Sequence, residues 1–174
     1  MINLIHITSP DRALNIIHNR SYYTKKPFKN YDAGMNFLGV LGEYANTQPT
    51  RGSKIHCEWS GAVSEPLTYD AYDYHTPNIL FDFNGSGVHF PNNDPRYFLP
   101  YNSGNLVIKR IELEDKFDEE ALIEKWLEIK GGAYPYLQKI KFLKKYLLKN
   151  ALRYLQDINK KLASEEVTIS VKYG

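Results

Sequence analysis

A single cysteine, Cys57, stands among the 174 residues. That excludes a disulfide framework and any zinc site built from thiolates. No apolar run approaches the roughly 20 residues that a membrane-crossing helix needs. The N-terminus lacks a basic segment followed by an apolar one, so it does not read as a secretory signal. Net charge is also scarce: 22 Lys and Arg face 20 Asp and Glu, leaving +2, too little for the chain as a whole to attract polyanions. These absences suggest a cytoplasmic protein of a reducing compartment with no membrane partner. The length suits one domain, residues 1–174, able to bury a real core. What the chain has in quantity is aromatic, with 14 Tyr, 8 Phe and 2 Trp.

Periodicity sets out the elements. Ile2 to Thr8 is β-branched and apolar and reads as a strand. Ser9-Pro10-Asp11 starts a helix, with Ser9 as cap, Pro10 at the first helical position and Asp11 near the positive dipole end. Asn19, tolerant of left-handed geometry, is placed to end that helix, and Ser21 to Thr24 suits a short strand. Residues 33–45 read as a helix weakened by Gly39 and Gly42. Lys54 to Val63 and Ile79 to Phe83 are strand-like, and Asn84 to Gly87 reads as a hairpin turn into Val88-His89-Phe90. Arg96 to Tyr101 and Leu106 to Leu113, joined by Asn102-Ser103-Gly104-Asn105, repeat that pattern. Asp118 caps a helix stopped by Gly131-Gly132, and Pro135 to Ala163 carries an apolar stripe from Leu137 to Leu162 at helical spacing. Val167, Ile169 and Val171 then alternate as a final strand. The fold class expected is α+β, with mixed and mostly antiparallel strands and a long basic helix before the last one.

Most chemical motifs fail on inspection. None of the five histidines has an H-x-x-x-H partner, so no metal site is expected. His6-Ile7-Thr8 has the H-x-T of two-histidine phosphoesterases, but no second copy follows. Cys57 lies in a strand with no activating neighbour. Gly85-Ser86-Gly87 precedes no helix, so a hairpin turn is preferred to a phosphate loop. The long helix is more informative. Lys141, Lys144, Lys145, Lys149 and Arg153 are interleaved with Tyr146 and Tyr154, a pattern that could track a phosphate backbone and stack on bases. The plainer alternative is the solvated outer face of a core-packed helix.

The two ends of the chain supply an ordered series. His6 lies on the first strand, Tyr22 and Tyr23 follow the first helix, and Glu165-Glu166 open the last strand. Here the sequence resembles the H-Y-E branch of the ADP-ribosyltransferase superfamily, and within it the DarT-like bacterial toxins. The residues that carry the resemblance are Leu4-Ile5-His6-Ile7-Thr8 with Ser9-Pro10-Asp11 and Leu14 to Ile17, and Ser164 to Ser170. They cover about a fifth of the chain. The resemblance implies a compact transferase domain around an NAD cleft, with the first and last strands close in space. It makes Glu166 the catalytic carboxylate, with Glu165 its rival. His6 and Thr8 would sit at the adenosine ribose of NAD, and Tyr22 or Tyr23 against nicotinamide. Arg51 or Arg96 would contact phosphates or substrate. It further implies a toxin or defence effector acting on RNA or single-stranded DNA, with a protein acceptor as the other option and an antitoxin as partner. One departure stands out: Asn19-Arg20 replaces the glycine that ordinarily closes the first helix. The competing expectation is a non-catalytic nucleic-acid-binding module working through the basic helix, residues 135–163.

Overall fold

A computed structural model describes residues 1–24, 35–39, 51–61, 63–64, 87–89, 96–99, 106–132 and 141–173. In chain order the elements are β1 (Ile2–Thr8), α1 (Pro10–Asn19), β2 (Ser21–Thr24), β3 (Met35–Gly39), β4 (Ser53–Trp59) and β5 (Val63–Ser64). There follow β6 (Gly87–His89), β7 (Arg96–Leu99), β8 (Leu106–Leu113), α2 (Glu119–Ile129), α3 (Lys141–Ser164) and β9 (Val167–Tyr173). The sheet runs in the order β2-β9-β8-β4-β1-β3-β7-β6-β5. All its pairings are antiparallel except β2 with β9 and β5 with β6. The class is α+β, as the periodicity predicts.

Four antiparallel strands, β9-β8-β4-β1, form the body of this sheet, and side-chain alternation gives it two unlike faces. Opposite residues share a face, so the pairings Leu4↔Cys57, His6↔Ile55 and Thr8↔Ser53 put these six side chains together. That face meets the helices. Leu4, Ile55, Cys57, Trp59, Leu106, Ile108, Val167 and Ile169 are buried against Ala13, Leu14, Leu122, Ala151 and Leu155. Each fully buried aliphatic side chain contributes about 1.5–3 kcal/mol relative to exposure. The other face of β4 and β8 is charged: Lys54 meets Glu114 at 3.6 Å, His56 meets Glu112 at 2.8 Å, and Lys109 meets Glu58 at 2.8 Å.

Local chemistry sets the element ends. Asp118 Oδ1 accepts from the Ala121 N–H at 3.0 Å and caps α2. Ser9 stands at the N-cap of α1, although its hydroxyl makes no capping bond. Gly52 enters β4 at φ 99°, and a Cβ there would lie 2.6 Å from Phe117 Cβ, so this position requires glycine. Asn159 holds α3 against the sheet. Its side chain accepts from the Ile111 N–H and donates to the Ile111 carbonyl, both at 2.8 Å, where the β9 pairing has already ended at Ile108.

Several expectations need correction. The stretch read as a helix over 33–45 contains strand β3, paired with β1 and β7. Its glycines make a poor helix, and two strand partners decide the matter. β7 and β8 do not form a hairpin: β7 joins β3 and β6, whereas β8 is held between β4 and β9. Arg20, not Asn19, takes the left-handed position after α1, at φ 49°. The strand read at Ile79 to Phe83, the turn at 102–105 and the first part of the long helix, 135–140, lie outside the described residues. Finally, the first and last strands are in one sheet but are not neighbours, because β4 and β8 lie between them.

Candidate functional site

His6 and Thr8 alternate onto the helix-covered face of β1. His6 is half-buried, and Thr8 is buried with its carbonyl accepting from Ser53 Oγ at 2.8 Å. From β1 to β9 there are three strand steps of about 4.8 Å, or roughly 14 Å. Glu165 and Glu166 are exposed in the link from α3 to β9. The two differ. Glu165 is tied back to the helix, its N–H donating to the Lys161 carbonyl at 2.8 Å and its carboxylate 3.7 Å from Lys161 Nζ. Glu166 makes no hydrogen bond or ion pair within the described residues.

β2 runs parallel beside β9, with Ser21 level with Ser170 and Tyr22 level with Val171. The strand bearing the two tyrosines is therefore the direct neighbour of the strand that follows the glutamates. Along that axis Tyr22 stands five residues beyond Glu166, roughly 16 Å. The rings of Tyr22 and Tyr23 lie outside the described residues, as does the Arg96 side chain. Arg51 is exposed just before β4. The series His6, Tyr22/Tyr23, Glu166 thus occupies one sheet at three separated stations. Only the tyrosine and glutamate strands are adjacent.

The long helix divides its cations. Leu147, Ala151, Leu155 and Leu162 face the core. On the outer side Phe142, Lys145, Tyr146, Lys149 and Arg153 follow at helical spacing. Phe142 is 85% exposed and Tyr146 59%, high values for large aromatic side chains. Lys145, Lys149 and Arg153 are exposed and without ion pairs among the described residues. Lys144 is separate, held 3.1 Å from Glu120 and 3.5 Å from Glu119, and those carboxylates raise its pKa. The Lys141 side chain lies outside the described residues.

At the other end of α3 is a pocket of about 250 Å³, lined by Ile17, His18, Arg20, Tyr154, Ile158, Lys161, Leu162 and Val167. Three basic side chains and one tyrosine stand over an apolar floor, and Val167 adjoins Glu166. His6 does not line it. Arg20 is the one non-glycine residue with positive φ among those described, and its backbone N–H closes α1 on the carbonyls of Ile16 and Ile17. Left-handed geometry costs an L-residue about 1–2 kcal/mol. Sequence reasoning did not find this pocket, although the Asn19-Arg20 departure marked its place.

Two other reactive groups are structural. Cys57 is buried and donates to the Ile55 carbonyl at 3.6 Å, and burial pushes its thiol pKa up, so no thiolate nucleophile forms there. Burial lowers the pKa of His56, opposed by its hydrogen bond to Glu112 and aided by the nearby Arg110 guanidinium. No group of three metal-ligating side chains occurs among the described residues, and no helix there is long and apolar enough to cross a membrane.

These elements define an α+β protein with a four-strand antiparallel body, a basic pocket at one end of α3 and an aromatic-cationic ridge at the other. No family model, curated protein or solved structure matches the chain.

Proposed function

We propose that the chain is an NAD-dependent ADP-ribosyltransferase of the DarT-like kind, a toxin or defence effector that modifies nucleic acid. The observation that carries this reading is the parallel pairing of β2 with β9, which makes the tyrosine strand and the glutamate strand neighbours across about 150 residues of chain. The carboxylate of Glu166, which has no partner among the described residues, supports it further. In the reaction the bond between nicotinamide and ribose breaks, and nicotinamide leaves with the bonding electrons. Glu166 stabilises the positive charge that develops on the ribose and takes the proton of the acceptor as it attacks. Glu165, drawn to Lys161, is the lesser candidate. His6 and Thr8, roughly 14 Å away by strand spacing, are assigned to the second ribose of the dinucleotide. Phe142, Tyr146, Lys145, Lys149 and Arg153 hold the acceptor strand by stacking and phosphate contact. An antitoxin belongs to this reading as a partner.

Purified protein with labelled NAD should mark RNA or single-stranded DNA and release nicotinamide, and Glu166→Ala should reduce both by orders of magnitude while the chain still folds. Labelling that persists in Glu166→Ala and in Glu165→Ala would sink the assignment. The exposed ridge favours one second reading, a non-catalytic nucleic-acid-binding module. That reading wins if no nicotinamide is released with DNA, RNA or lysate while salt-dependent nucleic-acid binding remains.

A further inference from the structure

We infer that the pocket between the end of α1, the C-terminal half of α3 and the start of β9 binds a nucleoside monophosphate unit. The inference rests on the pocket alone and does not require the transferase reading. Its volume of about 250 Å³ is a little below the roughly 300–1,000 Å³ of sites for drug-sized ligands, as a site for one nucleotide unit and nothing longer should be. Arg20, His18 and Lys161 present cationic or protonatable groups at the walls, and none of the described residues lining the pocket is acidic. The floor of Ile17, Ile158 and Val167 is apolar, and Tyr154 is steadied by Lys130, whose Nζ lies 4.7 Å from the ring centre. A ligand with an anionic end and a flat apolar body satisfies both halves.

Basic residues near helix C-termini have a simpler explanation, since they complement the helix dipole. That accounts for His18 and Lys161. It accounts equally for a positive charge at Arg20, the C-cap of α1, but not for the backbone conformation there. The backbone there is left-handed, a geometry that glycine adopts without strain. The guanidinium nevertheless makes no hydrogen bond or ion pair within the described residues. A left-handed residue whose side chain has no partner among the described residues and lines a pocket is best explained by a ligand. Lys161 is only loosely engaged, 3.7 Å from an exposed Glu165, and can turn to a phosphate. The negative end of the α1 dipole opposes an anion here. It is blunted because the Arg20 N–H already caps the Ile16 and Ile17 carbonyls.

The test is calorimetric titration of the whole chain, without NAD, against 5′-AMP, adenosine, inorganic phosphate and a short single-stranded oligonucleotide. AMP should bind at least about tenfold more tightly than adenosine or phosphate, as a charge-assisted contact requires. An oligonucleotide that binds about tenfold more tightly still, and loses that gain in Arg20→Gly, identifies the unit as part of a strand; an oligonucleotide indifferent to Arg20→Gly identifies the free nucleotide. Arg20→Gly separates binding from folding. It should weaken AMP at least about tenfold while leaving the melting temperature unchanged or raising it by about 2–4 °C. The proposal is overturned if AMP does not bind, if adenosine binds as well as AMP, or if Arg20→Gly binds AMP like the natural chain. Because no transfer is measured, loss of the transferase reading leaves this result standing.

Discussion

The two ends of α3 carry similar residues in opposite shapes. At the N-terminal end Phe142, Lys145, Tyr146, Lys149 and Arg153 stand out on a convex ridge. At the C-terminal end Tyr154, Lys161, Arg20 and His18 surround a concavity. The ridge can meet a long partner at many points but fixes no single group of it. The pocket can fix one group and exclude others. A basic, aromatic composition is therefore ambiguous until curvature is known. The pocket is lined in part by Val167, the residue after Glu166, whereas the ridge lies farther along the helix.

The sharpest way to test this division is at Glu166. Glu166→Ala should reduce transfer from NAD by about 10²–10³-fold, the usual loss when a group stabilising transition-state charge is removed. Nucleic-acid binding should not change. A variant that loses binding and transfer together would merge the two regions into one. Next in size is a change that touches neither. Gly52→Ala, with its left-handed φ and the 2.6 Å approach to Phe117, should cost about 2–4 kcal/mol. A fall in the urea midpoint with an unchanged slope is the expected signature. Both regions should then fail in parallel as the shared sheet unfolds.

The ridge itself should respond more gently. Replacing Lys145, Lys149 and Arg153 together by Ala should flatten the salt dependence of single-strand binding by about two phosphate equivalents. Affinity for a mononucleotide should stay the same, and an equal loss for both ligands would erase the distinction between ridge and pocket. The smallest effect belongs to His56, on the charged face away from the helices. Its pKa is lowered from 6.5 in the folded protein. The unfolded chain therefore binds more protons between the folded-state pKa and 6.5, so stability rises with pH across that window. On acidification below 6.5 that contribution is lost, and it is fully gone below the folded-state value. The urea midpoint of the natural chain should thus decline more on mild acidification than that of His56→Gln.

Much of the scaffold was legible along the chain because it is local. Pro10 at the first position of α1, the Asp118 cap and the alternation of Val167 and Ile169 each act through groups within a few residues, and all stand where expected. The α3 stripe reached the core for the same reason. The errors are non-local. Met35 to Gly39 became a strand through partners at both edges, and β8 left its expected hairpin for a long register with β4. The site divides likewise. His6, the tyrosines and Glu166 were visible as an ordered series, but their spacing across the sheet depends on β4 and β8 being inserted between the first and last strands.

The class, the Asp118 cap and the residue types available for chemistry were legible along the chain, since they follow from periodicity and short-range hydrogen bonding. Packing decided which cations are paired and which have no partner among the described residues. Lys144 is consumed by α2, Lys145 and Lys149 are left in solvent, and Arg20 lines a pocket from a backbone conformation that its side chain does nothing to favour. Charge on a chain is fixed by composition, but whether it is neutralised depends on which elements pack together.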